Sequence, residues 1–390
     1  MLKPLLILLA VTATPVFAQE SDKDYLTAFL EDSLSDIGRK VTITGFAGAL
    51  SSQATIESMT FADDAGIWLT LDGVKLDWSR SSLVSGELVV NELSANHLTV
   101  SRLPNSNRDS LPAPEAAGFS LPELPVSVAI GAIEIDWIEL DGSVLGQPVE
   151  GRLDAELQLA GGAGQARIDL VRTGEGPSGA ITLDASYDNT SRNLTVDFAA
   201  GEGKDGLVAV ALGIPGAPSS DVRLLGSGPI DAFAADITLA TDGKDRLAGG
   251  ITVSEDGAGG SSLKADLAGN LAPLFLPDYA EFLGTRLEVA LYANRAASGA
   301  FAVDRFHIKA QSLSVDGHAE IAADGLPESI SLAGVLASPD GNPLLLPFGG
   351  LPTRIDRAEF KIDTAQDQGL GWMAKAVIAG LDRPDLAAET

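Results

Sequence analysis

A period of two governs this chain. From Val41 almost to the C-terminus apolar residues take alternate positions, as in Val41-Thr42-Ile43-Thr44, Trp68-Leu69-Thr70-Leu71, Leu88-Val89-Val90 and Leu98-Thr99-Val100. The pattern returns in segments 181–187, 194–198, 235–239 and 312–316. Successive side chains of a β-strand point to opposite faces, so each segment reads as a half-buried strand. About 20 candidate strands follow. Between them lie short polar turns: Asp63-Asp64-Ala65-Gly66, Asp141-Gly142, Asp188-Asn189, Asp242-Gly243, Glu255-Asp256-Gly257 and Asp324-Gly325. Such turns favour hairpins, which predicts that sequence neighbours pair in an antiparallel sheet. No repeat of fixed length is visible, which argues against a propeller or a named solenoid.

Three stretches break the period. The first opens the chain: Lys3, an apolar run from Leu5 to Val11, and Pro15-Val16-Phe17-Ala18-Gln19 have the order of a secretory signal. Val16 and Ala18 fit the positions before a signal peptidase cut, so cleavage after Ala18 is expected. The competing reading is an uncleaved anchor, yet a spanning helix needs about 20 apolar residues and Thr12, Thr14 and Pro15 interrupt this one. A helix is then expected over 22–37, where Tyr25, Leu26, Phe29, Leu30, Leu34 and Ile37 share one face, Ser21 can cap the start and Gly38 the end. Residues 105–125 lose the alternation and carry Pro112, Pro114, Pro122 and Pro125, as a linker or long loop would. In the third, Leu274, Phe275, Tyr279, Phe282 and Leu283 with Pro273 and Pro277 predict a short helix near 273–284 laid over the sheet. The domain division is therefore 1–18 signal, 19–104 helix plus sheet, 105–125 linker and 126–390 continuing sheet.

Composition narrows the chemistry. There is no cysteine, so neither disulfides nor thiol nucleophiles enter. The formal charge is −28, and removal of residues 1–18 takes away Lys3 alone, giving −29. A chain so acidic repels nucleic acid and anionic lipid surfaces, and no nucleic-acid partner is expected. Its three histidines, His97, His307 and His318, all lie in strand-like segments, where a hydrogen-bonded sheet histidine is the simpler reading than a general base. G-x-S-x-G, Walker A and H-E-x-x-H sequences are all absent. The acidic turns at Asp63-Asp64, Asp242-Gly243 with Asp245, and Asp256-Gly257 lack the spacing of a calcium loop and read as hairpin turns. The expectation is a protein without catalytic residues, cofactor or metal.

Segment 22–103 resembles the N-terminal region of the TamB family, subunits of the translocation and assembly module related to AsmA proteins. The residues that carry the likeness are the D-x-x-G-x-W-L hairpin (Asp63, Gly66, Trp68, Leu69), the strand end Leu76-Asp77-Trp78-Ser79, and L-x-x-G-x-L-x-V-x-x-L-x-A from Leu83 through Gly86, Leu88, Val90 and Leu93 to Ala95. Pieces at 226–233, 274–284 and 354–360 agree. Family members are anchored in the inner membrane, run far longer and end in a β domain; here the start looks cleavable and the sequence stops at Thr390, so a fragment is the expectation.

The resemblance implies a long, twisted antiparallel sheet curled into an elongated groove, in the periplasm of a Gram-negative bacterium beside its inner membrane. It also implies phospholipid transfer and, through an Omp85-type outer-membrane partner, support of outer-membrane protein assembly or autotransporter secretion. Physical chemistry says why a groove would serve: exposing two acyl chains to water costs on the order of 20 kcal/mol, which an apolar lining removes. Leu183, Val196 and Leu239 are the candidate lining positions, and phospholipid acyl chains their partners. Aromatic residues make up only 5% of the chain, which would leave the groove open. Periodicity alone fits equally a closed face that packs on a second sheet or against loops, as in a β-sandwich. A secreted or surface-displayed adhesin-like β protein is the alternative function.

Overall fold

The alternating segments do become strands, because β-branched and leucine side chains on one face find neighbours across each hairpin while Asp, Thr and Ser on the other stay solvated. The computed structural model describes residues 27, 31, 35, 40–48, 52–83, 87–104, 127–275, 277–347, 351–365 and 371–385. In order they form β1 (Lys40–Thr44), β2 (Gln53–Asp63), β3 (Gly66–Ser79), β4 (Glu87–Val100), β5 (Ser127–Leu140), β6 (Val149–Ala160) and β7 (Ala163–Arg172). There follow β8 (Gly179–Asp188), β9 (Asn193–Glu202), β10 (Ser220–Pro229), β11 (Ala232–Thr241), β12 (Lys244–Glu255), β13 (Ser261–Gly269) and β14 (Leu287–Arg295). The last are β15 (Phe301–Lys309), β16 (Leu313–Ile321), β17 (Pro327–Ala337), β18 (Leu344–Leu345), β19 (Arg354–Ile355), β20 (Arg357–Ala365) and β21 (Gly371–Ala379).

All but β18 and β19, which pair with each other, belong to one 19-stranded sheet. It is curved and does not close into a barrel. Each strand pairs with the strands before and after it in sequence, so order in space is order in the chain. At about 4.8 Å per strand the sheet extends roughly 90 Å across its strands. The expected curled, open sheet is therefore present. A sandwich would need a second large sheet, and the described residues contain only the β18–β19 pair besides the main one.

One pairing departs from expectation: β4 and β5 run parallel, with Val90 opposite Ile130 and Val100 opposite Leu140. Parallel neighbours need a crossover of a dozen or more residues rather than a tight turn. Residues 101–126 supply it, which gives the break in alternation a topological reason. The stretch 105–125 itself, the signal at 1–18 and most of the helix expected over 22–37 lie outside the described residues. Thr27 and Glu31 are helical, and side chains from this segment reach β1: the Val41 N–H donates to Ser35 Oγ at 3.0 Å and the Ile43 N–H to Glu31 Oε1 at 2.6 Å. The outer edge of the first strand is thus hydrogen-bonded, as buried or half-buried backbone groups require. β21 is different: no described strand pairs beyond it, and Trp372 and Met373 are 73% and 65% exposed.

Buried apolar residues gather in two clusters near the ends of the sheet. Val41, Ile43, Phe46 and Ala54 form one. Phe282, Leu283, Leu336, Leu344, Ile355 and Ala358 form the other, where 3₁₀ turns Ala272–Leu274 and Pro277–Tyr279 and the helix Ala280–Leu283 lie against the sheet near the expected 273–284. Between the clusters the buried apolar residues among those described, such as Tyr187, Ala235 and Ala293, belong to neither cluster. Among the described residues no helix is long and apolar enough to cross a membrane.

Candidate functional site: an apolar trough

Cross-strand register decides which residues share a face. One continuous row crosses β6 to β11 as Leu153, Leu170, Ile181, Ala200, Val222 and Leu239. The next row toward the opposite strand ends is Ala155, Ile168, Leu183, Phe198, Leu224 and Ile237, and a third runs Leu157, Ala166, Ala185, Val196, Gly226 and Ala235. Leu183, Val196 and Leu239 therefore stand on one face, in three successive rows. The apolar succession continues through Val289, Ile308 and Val315 to Leu332, Ile362 and Ala374. The other face is charged: Glu156, Arg167, Asp184 and Asp197 follow one another across β6 to β9, with Arg167 bonded to Asp184 at 2.9 Å and Arg223 to Asp197 at 3.0 Å.

Connections differ sharply between the two rims. On the rim where β4 and β5 end, the chain makes long excursions at 141–148, 203–219, 270–286 and 338–353, while the other rim holds tight turns such as 161–162, 230–231 and 322–326. The first of these excursions is capped by Asp141, whose carboxylate accepts the Ser143 N–H at 2.8 Å and is held below its ordinary range by that bond. The second carries the helix Leu207–Ala211, which buries Ala209 at 1% exposure and leaves Val208, Val210 and Leu212 at 51%, 57% and 71%. Alternation gave no sign of this helix. Its uninterrupted apolar run, Leu207 to Leu212, is the one available signal, and a short run of that kind fits strand or helix equally.

The first three of these excursions fold toward the trough and bound a cavity of about 420 Å³. Its floor is Ile138, Leu140, Leu170, Ile181, Val222 and Leu239, and its rim wall is Leu145, Leu207, Leu212, Ile214 and Leu274. Cavities of this size and apolar character hold small or chain-like apolar ligands. Of the three expected lining residues, Leu239 belongs to this cavity, while Leu183 and Val196 lie further along the open trough. A polar row tops the floor at the strand ends: Arg172, Glu202, Ser220 and Thr241 keep the inward parity of the apolar rows.

Two of the three histidines and the acidic turns have local partners. His97 stacks on Trp137 with ring centroids 4.4 Å apart and lies 3.3 Å from Glu139, and His307 Nδ1 is 2.7 Å from Asp316. Asp256 Oδ1 accepts the N–H groups of Ala258 and Gly260, and Asp242 Oδ1 that of Ser219. In the D-x-x-G-x-W-L hairpin, Asp63 and the Gly66 carbonyl both accept from the Arg102 guanidinium, whose own protonation the Asp63 carboxylate strengthens. Those residues of the motif thus fasten the β2–β3 turn to the end of β4. Compared with protein-family models, curated proteins and solved structures, the chain matches none of them.

Proposed function

We propose that the trough carries acyl chains, as a non-enzymatic lipid-binding protein of the cell envelope resembling the TamB family. The observation that supports this reading is the apolar face, three rows deep across β6 to β11, with rim excursions over its first row and no second large sheet over it among the described residues. A soluble protein that leaves so much contiguous apolar surface open has a use for it. Photo-crosslinking residues at Leu183, Val196 and Leu239 test the reading: acyl chains are captured at all three and not at outward-facing Asp184. Equal capture at Asp184, or none at any inward position, refutes it. An adhesin-like protein would instead be recovered outside the cell on fractionation.

A second reading, support of outer-membrane protein assembly with an Omp85-type partner, is favoured by the edge of β21. Exposed strand edges accept added strands through main-chain hydrogen bonds. Co-purification of such a partner or of an unfolded β-barrel client, lost on Ala376→Pro, is the expected result; binding unchanged by that substitution removes β21 from the account.

A further inference from the structure

Two residues of the cavity wall, Arg172 and Ser220, each carry a buried polar atom without a partner. Arg172 Nε and Ser220 Oγ are both buried from solvent and have no hydrogen-bond partner among the described residues. Ser220 as a whole is only 8% exposed. Buried polar groups are almost always satisfied, and an exception in a cavity wall marks a place for a missing partner. For Arg172 the anomaly is larger, because a guanidinium presents five N–H donors and among the described residues its hydrogen bond is a long one, Nη2 to the Glu175 carbonyl at 3.5 Å.

Register fixes what this cation stands beside. Arg172 is two residues from Leu170, so its side chain leaves the sheet on the trough side, opposite Gly151 and next to Gly179. Neither glycine has a side chain to fill the space around it. The acid in the same polar row, Glu202, accepts the Val208 N–H at 2.9 Å and is directed at the rim helix. Arg172 therefore stands at the strand ends beside a floor of Leu170, Ile181 and Val222, with its guanidinium against the turn at Glu175 and Gly176.

We propose that this end of the trough is a site for an anionic amphiphile: its acyl chain lies over Leu170, Ile181 and Leu239, and its carboxylate or phosphate head accepts from Arg172. The inference rests on the acyl-chain reading above and adds the head. It also reconciles the ligand with a chain of formal charge −28, since Arg172 supplies a local donor where the overall field is repulsive. Ser220 lies three strands from Arg172, roughly 14 Å along the row, so its hydroxyl serves a different atom of the guest or a water beside it.

Displacement of a fluorescent fatty-acid probe from the whole purified protein tests this. The competitors are palmitate, a lysophosphatidate of equal chain length, hexadecanol and inorganic phosphate. Palmitate and lysophosphatidate are expected to compete better than hexadecanol by roughly tenfold or more, the worth of one charge-assisted hydrogen bond. Comparison of those two anions tells a carboxylate site from a phosphate site. Arg172→Gln is expected to erase the preference while leaving hexadecanol unchanged, and Arg172→Lys to keep part of it. Equal competition by hexadecanol and the anions in the unaltered protein overturns the head assignment and leaves the acyl trough standing. So does a preference that survives Arg172→Gln. Displacement by inorganic phosphate alone overturns the amphiphile in favour of a simple anion site. Failure of every acyl compound to displace the probe overturns the trough reading together with this one.

Discussion

Removing the same side chain from an open trough and from a closed core should cost different amounts, and Ile181 and Ile355 provide the pair. Ile→Ala deletes three carbons, worth about 2.4 kcal/mol if fully buried at about 0.8 kcal/mol each. Ile181 is 38% exposed and lines the cavity, so somewhat more than half of that burial is realised, about 1.5 kcal/mol. No enclosed void is created, because the deleted atoms border space that is already open. Ile355 is 1% exposed within the cluster of Phe282, Leu336 and Ala358, so Ile355→Ala adds a cavity cost to the transfer cost, for a total of about 2–5 kcal/mol. Equilibrium urea unfolding gives the two values, with hydrogen exchange of β8 and β19 amides as the local readout. A further arm adds palmitate at about 100 times its dissociation constant, which stabilises the unaltered protein by about 2.7 kcal/mol and Ile181→Ala by less. If Ile181→Ala costs as much as Ile355→Ala, the inner face is a packed core and the trough reasoning fails.

The remaining predictions concern the turns, the backbone and the edge. Asp256 is held below the ordinary carboxylate range by the N–H groups of Ala258 and Gly260, so its contribution to stability is present above about pH 3.9 and is lost as pH falls through its lower folded value. The stability difference between the unaltered protein and Asp256→Asn, followed by urea unfolding against pH, should accordingly vanish in acid; a difference that grows there reverses the assignment. A Cβ on Gly249 would collide with the Asp266 carbonyl oxygen, whereas one on the adjacent Gly250 meets nothing nearer than 3.9 Å. Gly249→Ala should cost about 1–3 kcal/mol and Gly250→Ala should be neutral or stabilise by about 0.4–1 kcal/mol; equal effects would mean the backbone at 249 relaxes freely. Trp372 at 73% exposure should dominate acrylamide quenching of tryptophan fluorescence, so Trp372→Phe removes most of the quenchable emission. Unchanged quenching would place a cover over β21.

Much of the fold was legible because alternation is a direct image of strand geometry. Leu183 and Asp184 fall on opposite faces whatever the strand packs against. What alternation cannot encode is whether the inward side meets another layer, since a sandwich and a trough write the same pattern; the described strands form no second large sheet, and the layer they do show over the inward side is the rim excursions. The parallel β4–β5 pair was hidden for a related reason. Residues 105–125 signal a departure from hairpins, but their composition carries no strand direction. The rim helix Leu207–Ala211 was missed because a short apolar run has no period to read. Arg172 and Ser220 did keep the inward parity of their strands, yet a polar residue at a strand end looks like the beginning of a turn until its neighbours are placed around it.

Because strand order in the sheet repeats strand order in the chain, assembly of this protein has a direction. Each new strand emerging from synthesis finds the previous strand of the sheet as its template, which favours stepwise growth. Ser35 and Glu31 bond the N–H groups of Val41 and Ile43 on β1, so these donors of the first edge are already taken and disfavour a second growing front. The structure behaves as a ribbon that lengthens from one end. A lesion in the middle should halt propagation there and leave everything earlier in the chain folded.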